Sequence, residues 1–216
     1  MFFEYGEKEM AYLKNKDKIL GEAIDKIGQI KRPVDEDLFS SVIHHIVGQQ
    51  ISTAAQKTIW KRINDTVEKI TINTIGNLSI DEIQSFGMTF RKAEYIKDFT
   101  DKVKQGEFVL DDIPNKSDNE IVGQLSGIKG IGVWTAEMIM IFCLQRSNIF
   151  SYNDLAIHRG LCMLYHHKNI DKDKFERYRL LFSPYCTVAS LYLWEIAGGA
   201  IDGMKDFAPK KKTTSK

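Results

Sequence analysis

A glycine-rich turn in the middle of the chain has the residue types needed to bind an anion through its backbone. Residues 125–136 read LSGIKGIGVWTA, with a short apolar pattern before the glycines and a markedly apolar stretch after them. Glycine permits a positive φ angle and lets another backbone come close. The amides of Gly130, Gly132 and Val133 would then point outward at the start of a helix, where they and the helix dipole favour a phosphate oxygen. A helix–helix turn without a ligand is the competing interpretation of these glycines alone.

A carboxylate at the start of a later helical pattern is the second group that could do chemistry. Asp154 follows Gly132 by 22 residues and directly precedes an apolar pattern with helical spacing, formed by Leu155, Leu161 and Leu164. A carboxylate beside a substrate can stabilise positive charge or take a proton from water. An aspartate here can also be only the N-cap of the helix, because its oxygen accepts hydrogen bonds from the first amides. The residues by themselves leave both interpretations open.

The elements that would position these groups are predicted to be helices. Apolar residues recur at helical spacing along most of the chain, and strand-like alternation is scarce. The stripe in residues 39–58 predicts one long helix that starts near Asp37. Ser117 and Glu120 predict a capping box at the start of the short helix that ends at Gly127. We therefore predict an all-α protein.

The glycine-rich segment resembles the hairpin of the helix-hairpin-helix DNA glycosylase superfamily. Members carry Leu-x-x-(Ile/Phe)-x-Gly-Ile-Gly-x-(Trp/Lys)-Thr-Ala, and the matching residues here are Leu125, Ile128, Gly130, Ile131, Gly132, Trp134, Thr135 and Ala136. Many members have proline before the first glycine, where this chain has Lys129, so some rigidity is lost while the phosphate-binding amides stay in place. The DNA-binding residues that the resemblance implies in this segment are Lys129, Gly130, Ile131, Gly132, Val133 and Thr135.

The resemblance extends to other parts of the chain. The family's catalytic aspartate lies beyond the hairpin at the start of the next helix, and Asp154 occupies this place, with Asn153 where many relatives have another acid. Residues 39–62 resemble the helix and loop that these enzymes push into the duplex, and residues 87–96 resemble a further segment, Gly-hydrophobic-x-x-x-Lys-Ala. Together the similarity covers residues 39–160, and it is greatest to the 3-methyladenine DNA glycosylase II branch.

The resemblance implies an enzyme that flips a damaged nucleotide out of the duplex and hydrolyses its C1′–N bond. Asp154 would stabilise the positive charge that develops on the sugar and activate water. One carboxylate can suffice where the leaving base is already cationic, as in alkylated purines such as 3-methyladenine. Gln50 is the candidate for filling the vacated space, with a local hydrogen bond at a helix end as the alternative. Trp134, Tyr152 and His44 are candidates for contacting the base, with core packing as the alternative for the first two.

Position 134 separates two kinds of glycosylase within this resemblance. Relatives that also cut the backbone have a lysine there, which forms a Schiff base with the sugar, and Trp134 cannot do this. We therefore predict a monofunctional hydrolase that leaves the abasic site intact. Two alternatives stay open: the same fold acting on an oxidised or deaminated base, and a non-catalytic DNA-binding module. A module that only binds has no need of Asp154, because a carboxylate repels phosphate.

Composition limits the other classes of protein. Hydrophobic residues make up 43% of the chain, yet no apolar run reaches the roughly 18 residues of a membrane helix, so a cytoplasmic location without a membrane partner is expected, nucleoid-associated in a prokaryote. The formal net charge of +1 gives no general argument for nucleic-acid binding. Cys143, Cys162 and Cys186 are far apart and odd in number, so they are expected to be buried, reduced thiols. They do not form the close group of four ligands that a zinc site needs. We expect no side-chain metal site and no cofactor, although the resemblance allows a monovalent cation at the hairpin carbonyls.

Four segments are predicted along the chain. Residues 1–34, ending near Pro33, form an N-terminal helical segment that packs with the C-terminal helices. Residues 35–146 form a helical subdomain with the helix-hairpin-helix, residues 147–208 form a helical subdomain with Asp154, and residues 209–216 form a disordered basic tail. The two subdomains would flank a DNA-binding cleft, with Trp60 and Trp194 in the core. The expected partner is double-stranded DNA containing damaged bases, bound by a monomer.

Overall fold

A computed structural model describes residues 1–207, which form α-helices and one 3₁₀ segment and contain no strand. The prediction of an all-α protein is therefore confirmed, while the predicted tail at residues 209–216 lies outside the described part. The helices are α1 (Glu7–Lys16), α2 (Lys18–Ile27), α3 (Leu38–Gly48), α4 (Thr53–Val67), α5 (Ile72–Gly76), α6 (Ile80–Ser85), α7 (Phe90–Lys104), α8 (Asp118–Ser126), α9 (Val133–Phe142), α10 (Leu155–Leu164), α11 (Lys172–Phe182) and α12 (Cys186–Gly198), with the 3₁₀ segment at Leu110–Asn115.

The helices divide into two compact units. The first unit comprises Met1 and Pro33–Gln145 and therefore contains α3 to α9. The second unit comprises Phe2–Arg32 and the chain from Arg146 onward, and it contains α1, α2 and α10 to α12. The glycine-rich turn belongs to the first unit, and Asp154 belongs to the second.

The first unit is built around α3 and α7, with α9 packed against α3. Phe39 of α3 stacks on Phe99 of α7 with ring centroids 5.4 Å apart, and both side chains are buried. Side-chain caps start the main helices of this unit: Asp37 caps α3, Ser52 caps α4 and Thr89 caps α7. Each such cap satisfies an amide that would otherwise lack a partner, and it contributes about 1 kcal/mol.

The prediction of one long helix through residues 39–58 is wrong. The third helix ends at Gly48 and the fourth begins at Thr53, so residues 49–52 form a loop between them. Gln50 has a φ angle of 53°, a left-handed conformation that a right-handed helix cannot contain. Apolar spacing continues on both sides of the loop and hid the break. Gly48 was the one local signal that a helix ends there.

The second unit depends on a close approach of α10 and α12. Gly160 lies against the backbone of Leu193, and a Cβ atom at position 160 would overlap the carbonyl group of Leu193. Tyr192 is fully buried, and its hydroxyl donates a hydrogen bond to the carbonyl oxygen of Gly28 at 3.1 Å, which joins α12 to the end of α2. Within residues 1–207 no single helix is long and apolar enough to cross a membrane; α11 and α12 meet such a test only as a pair, with a bend of 119° between them.

The cysteine and tryptophan side chains differ in burial. Cys162 and Cys186 are buried, Cys143 is partly buried, and all three are free thiols. Burial raises the pKa of Cys143 and of Cys186 to about 12, so both stay protonated and unreactive near neutral pH. Trp60 and Trp194, which were expected in the core, are only partly buried.

Replacing Gly160 with alanine should destabilise the protein by about 1–3 kcal/mol, because the added methyl group would collide with backbone that cannot rotate away. Gly123 is the matched control, since a Cβ atom at this position of α8 would meet nothing within 4 Å. Gly123→Ala should increase stability by about 0.5–1 kcal/mol, because alanine loses less conformational freedom in a helix. Urea unfolding measures both variants. A Gly160→Ala variant as stable as the wild type would show that α10 and α12 do not pack this closely.

Candidate functional site

The predicted hairpin is formed by α8, α9 and the turn between them. The eighth helix begins with the predicted capping box, in which the amide of Ser117 donates to Oε2 of Glu120 at 2.9 Å. It ends at Gly127, as predicted. Leu125 and Ile128, which belong to the family pattern, are buried at 0% and 3% exposure and hold the turn to the core of the unit.

The turn presents backbone amides at the start of α9. Gly130 has a φ angle of 85°, the left-handed conformation that favours glycine, and Gly132 is the N-cap residue of α9. Gly130, Gly132 and Val133 are all exposed, and within residues 1–207 no hydrogen bond occupies their amides. A phosphate oxygen could therefore accept these hydrogen bonds at the positive end of the helix dipole.

The other residues of the hairpin segment differ in how far their side chains are exposed. Ile131 and Thr135 are only 4% and 7% exposed, so any contact they make with DNA would come from their main-chain atoms. Trp134 is 44% exposed at the second position of α9, which excludes the alternative that it is a core residue.

Three side chains from outside the hairpin hold its turn. Gln49 Nε2 donates to the carbonyl oxygen of Gly130 at 2.7 Å. The ring of Tyr95 lies so close to Gly130 that a Cβ atom there would collide with it. Lys129, predicted to face phosphate, has its ammonium group 2.6 Å from Oδ1 of Asp98. Sequence reasoning missed Gln49, Tyr95 and Asp98, because no local pattern indicates which turn a helix side chain will meet.

The loop between α3 and α4 carries Gln50 beside this turn. Lys92 Nζ donates to the carbonyl oxygens of Val47 and Gln49 at 2.8 and 2.7 Å, which caps the end of α3 and fixes the loop. Within residues 1–207 the side chain of Gln50 makes no hydrogen bond, so the local hydrogen bond considered as an alternative is not formed. A positive φ angle in a residue other than glycine costs roughly 1–2 kcal/mol, and such strain is concentrated at functional sites.

Gln50 and the hairpin share a cavity of about 500 Å³, so the structure brings these two sequence predictions together. The lining residues are Gln49, Gln50, Ile51, Thr89, Arg91, Lys92, Tyr95 and Gly130. The family-like segment at residues 87–96 contributes four of them. One is Lys92, the lysine of the family-like pattern, which lines the cavity and also holds the loop through its hydrogen bond to Gln49.

His44 lies apart from this cavity, in a polar cluster on α3. Its ring packs on Trp60 with centroids 4.4 Å apart, and its Nδ1 lies 3.4 Å from Oδ2 of Asp35. Asp35 also accepts a hydrogen bond from Ser41 Oγ at 2.9 Å. Trp60 therefore covers one face of the His44 ring, and these contacts favour a structural role for His44.

His45, the next residue, should make the protein less stable in mild acid. Burial lowers the pKa of His45, although a hydrogen bond from its Nδ1 to the carbonyl oxygen of Ser41 at 2.9 Å and the charge of Asp35 oppose this shift. The unfolded chain therefore binds a proton first as the pH falls through about 6.5, and each further pH unit costs up to about 1.4 kcal/mol until the folded protein is protonated too.

Urea unfolding between about pH 7.5 and 5 measures this effect for the wild type and for His45→Gln, and the variant should lose less stability over the interval. Burial and neighbouring cations also lower the pKa of His167, so part of the slope should remain. Identical slopes in the two proteins would contradict the assignment to His45.

In the second unit, Asp154 is the N-cap of α10 and is 6% exposed. Its Oδ1 accepts hydrogen bonds from the amides of Ala156 and Ile157 at 2.8 and 3.0 Å. The N-cap interpretation is thus confirmed. It is compatible with catalysis, because capping through Oδ1 fixes the orientation of the whole carboxylate.

Two exposed side chains flank Asp154 in sequence. Tyr152 is 41% exposed and contacts Phe175 and His158 edge-on, each at 5.1 Å between ring centroids. Leu155 was expected on the apolar stripe of the helix, but it is 83% exposed, because the first helical position precedes the buried face. Both side chains are therefore available to a ligand beside the carboxylate.

The family follows from a comparison with known proteins. The sequence model that describes the HhH-GPD superfamily of base excision DNA repair proteins matches residues 43–184. This is more than half of the chain and includes the hairpin and Asp154. The chain belongs to the HhH-GPD superfamily. The family resemblance inferred from the sequence is thereby confirmed.

Several known proteins are similar to this chain over most of its length. The crystal structure of the DNA-3-methyladenine glycosidase from Bacillus halodurans has a TM-score of 0.80 and 31% identity, and the match covers 92% of this chain and 93% of that one. DNA-3-methyladenine glycosylase 1 of Schizosaccharomyces pombe is 27% identical over 178 residues, which cover 80% of this chain and 78% of the relative. YfjP of Bacillus subtilis is 27% identical over 173 residues, and this chain spans 59% of its length.

Proposed function

We propose that this HhH-GPD protein is a monofunctional DNA glycosylase that flips out alkylated purines, such as 3-methyladenine, and hydrolyses their N-glycosidic bond. The observation that carries this proposal is the similarity to the DNA-3-methyladenine glycosidase of Bacillus halodurans over nearly the whole of both chains. Its partner is double-stranded DNA containing damaged bases, which the protein binds as a monomer in the cytoplasm, or on the nucleoid in a prokaryote.

Binding begins at the hairpin. The exposed amides of Gly130, Gly132 and Val133 donate to a phosphate oxygen, and the dipole of α9 adds to the attraction. Neutral backbone donors suit a chain whose formal net charge is only +1. Gln50, which is exposed and has a strained φ angle, enters the space that the flipped nucleotide leaves, while Lys92 holds the preceding carbonyl group of Gln49 in place.

Chemistry depends on Asp154. Cleavage of the C1′–N bond builds positive charge on the deoxyribose, and a carboxylate fixed at the start of a helix stabilises this charge without having to reorganise. The same carboxylate orients the attacking water. An alkylated purine leaves as a neutral base, so no second acid is required to protonate it.

Exposed aromatic side chains suit a cationic base. Trp134 and Tyr152 both present ring surface to a ligand, at 44% and 41% exposure, and a cation over such a ring gains up to about 2 kcal/mol when water is excluded. Leu155, directly after Asp154 and 83% exposed, offers an apolar contact for the sugar or base. We assign His44 to the cluster with Trp60 instead.

Trp134 also supports the absence of lyase activity. A Schiff base with the sugar requires an amine at this position, and an indole cannot supply one. A monovalent cation at the hairpin remains part of the proposal. The carbonyl oxygens of Ile128 and Gly130 already accept hydrogen bonds from Ile131 and Gln49, and each keeps a second lone pair that a cation can use. When bound, such a cation would add positive charge beside the phosphate.

A panel of duplexes, each with one lesion, tests this proposal. The wild type should release 3-methyladenine or 7-methylguanine and leave a strand that breaks only after alkali. Release of an oxidised or deaminated base alone would support the alternative substrate class. Strand cleavage without alkali, together with trapping by borohydride, would contradict the monofunctional mechanism. Tight binding of every duplex with no release would indicate a non-catalytic module.

A further inference from the structure

We propose that the ion pair between Asp98 and Lys129 is a tether that holds the phosphate-binding turn in shape, which makes Asp98 a positioning residue for DNA. This inference rests on the proposed DNA binding by the hairpin. Lys129 directly precedes Gly130, and its Nζ lies 2.6 Å from Oδ1 of Asp98 on α7. The two residues are 31 positions apart in sequence.

Asp98 is suited to act as a fixed anchor. Its side chain is 21% exposed, whereas that of Lys129 is 64% exposed. Lys102, one turn later on α7, lies 3.0 Å from the other carboxylate oxygen, so Asp98 has a second ion pair within its own helix. The hydrogen bond from Lys129 keeps the pKa of Asp98 below its usual range, so the pair is charged at neutral pH.

The turn needs support from outside because its own sequence allows many conformations. Gly127, Gly130 and Gly132 lie within six residues, and glycine adopts positive and negative φ angles with similar ease. Lysine at position 129 does not restrict φ, as a proline would. The tether therefore acts together with the hydrogen bond from Gln49 and the packing of Tyr95 to keep the amides in the binding conformation before DNA arrives.

The competing role for Lys129 is direct contact with a phosphate. In that case Asp98 would compete with DNA for the lysine, and its removal would strengthen binding. If the ion pair is instead a tether, removal of Asp98 loosens the turn and weakens DNA binding. The two roles thus predict changes of opposite sign for the same substitution.

Asp98→Asn and its control Asp101→Asn separate these roles. Asp101 lies on the same helix and pairs with Lys97 at 3.7 Å, so each variant removes one negative charge, but only the first releases the hairpin. Affinity is measured by fluorescence anisotropy on a duplex with a tetrahydrofuran abasic analogue. We expect Asp98→Asn to bind about threefold more weakly than Asp101→Asn, the effect expected of an ion pair in which one partner is exposed.

The Lys129→Pro background gives a second test. Proline restricts φ without any partner, so in this background Asp98→Asn and Asp101→Asn should bind equally. In Lys129→Pro, the slope of log affinity against log salt concentration, between about 50 and 200 mM, should equal that of the wild type. Loss of a phosphate contact would instead reduce that slope by about 1.

Asp98→Asn binding as tightly as Asp101→Asn, or more tightly, would overturn the tether. A reduced salt slope in Lys129→Pro would overturn it as well. Both measurements concern binding alone. Failure of the proposed catalytic activity would show separately, if the wild type bound the duplex but released no base.

Discussion

Asp154→Asn should reduce the rate of base release by about 10²–10⁴-fold, the loss expected when a group that stabilises charge in the transition state is removed. Asparagine caps a helix as well as aspartate does, so the hydrogen bonds to Ala156 and Ile157 can remain and the fold should keep its stability. Duplex affinity should be unchanged or higher, because a carboxylate that repels phosphate is gone. Single-turnover release of 3-methyladenine and fluorescence anisotropy measure the two quantities.

Asp171→Asn is the matched control for this experiment. Asp171 is the N-cap of α11 and accepts a hydrogen bond from the amide of Lys174 at 2.8 Å, so this variant also removes one charge from a cap and keeps the cap oxygen. It should release the base at the wild-type rate. An Asp154→Asn protein within about threefold of the wild-type rate would show that capping is the whole role of this aspartate.

Gly130→Ala should lower both the stability of the protein and its affinity for DNA. Alanine is strained at a φ angle of 85°, and its methyl group would collide with the ring of Tyr95, so we expect a loss of about 1–3 kcal/mol in stability. Shifting the turn also misplaces the amides that bind phosphate. Because a hydrogen bond to a charged group contributes about 1.5–3 kcal/mol, duplex affinity should fall by roughly tenfold or more.

Gly132→Ala separates the two effects. Its φ angle is −89°, and a Cβ atom there meets nothing within 4 Å, so the cost in stability should be only about 0.5–1 kcal/mol, from the poorer N-cap. The methyl group would nevertheless project from the exposed start of α9, where the phosphate is proposed to bind. Thermal unfolding should therefore distinguish the two variants, while anisotropy should show weaker binding for both. A Gly132→Ala protein with full affinity would place the phosphate elsewhere.

The parts of the site that could be predicted from the sequence are those with local causes. A positive φ angle at Gly130, the capping box of Ser117 and Glu120, and the N-cap at Asp154 each depend on residues within a few positions. Such features can be recognised from a short stretch of sequence, and the family resemblance then suggested their function.

The rest of the site depends on contacts between distant segments. Apolar periodicity shows which face of a helix is buried but not what it meets, so Asp98 and Tyr95 gave no sign that they approach the turn. The same periodicity continued across the loop that contains Gln50 and concealed it. Leu155 was misplaced for a related reason, because the first position of a helix need not share the buried face of its later turns.

The central claim, that Asp154 contacts the flipped nucleotide while the hairpin amides contact a backbone phosphate, is tested most directly by a crystal structure of Asp154→Asn with DNA. The duplex would carry a stable analogue of 3-methyladenine. The flipped nucleotide should place its C1′ atom against the side chain at position 154, while a phosphate of the same strand accepts hydrogen bonds from the amides of Gly130, Gly132 and Val133. A complex in which that side chain faces away from the DNA, or in which the glycine amides meet only water, would contradict the account.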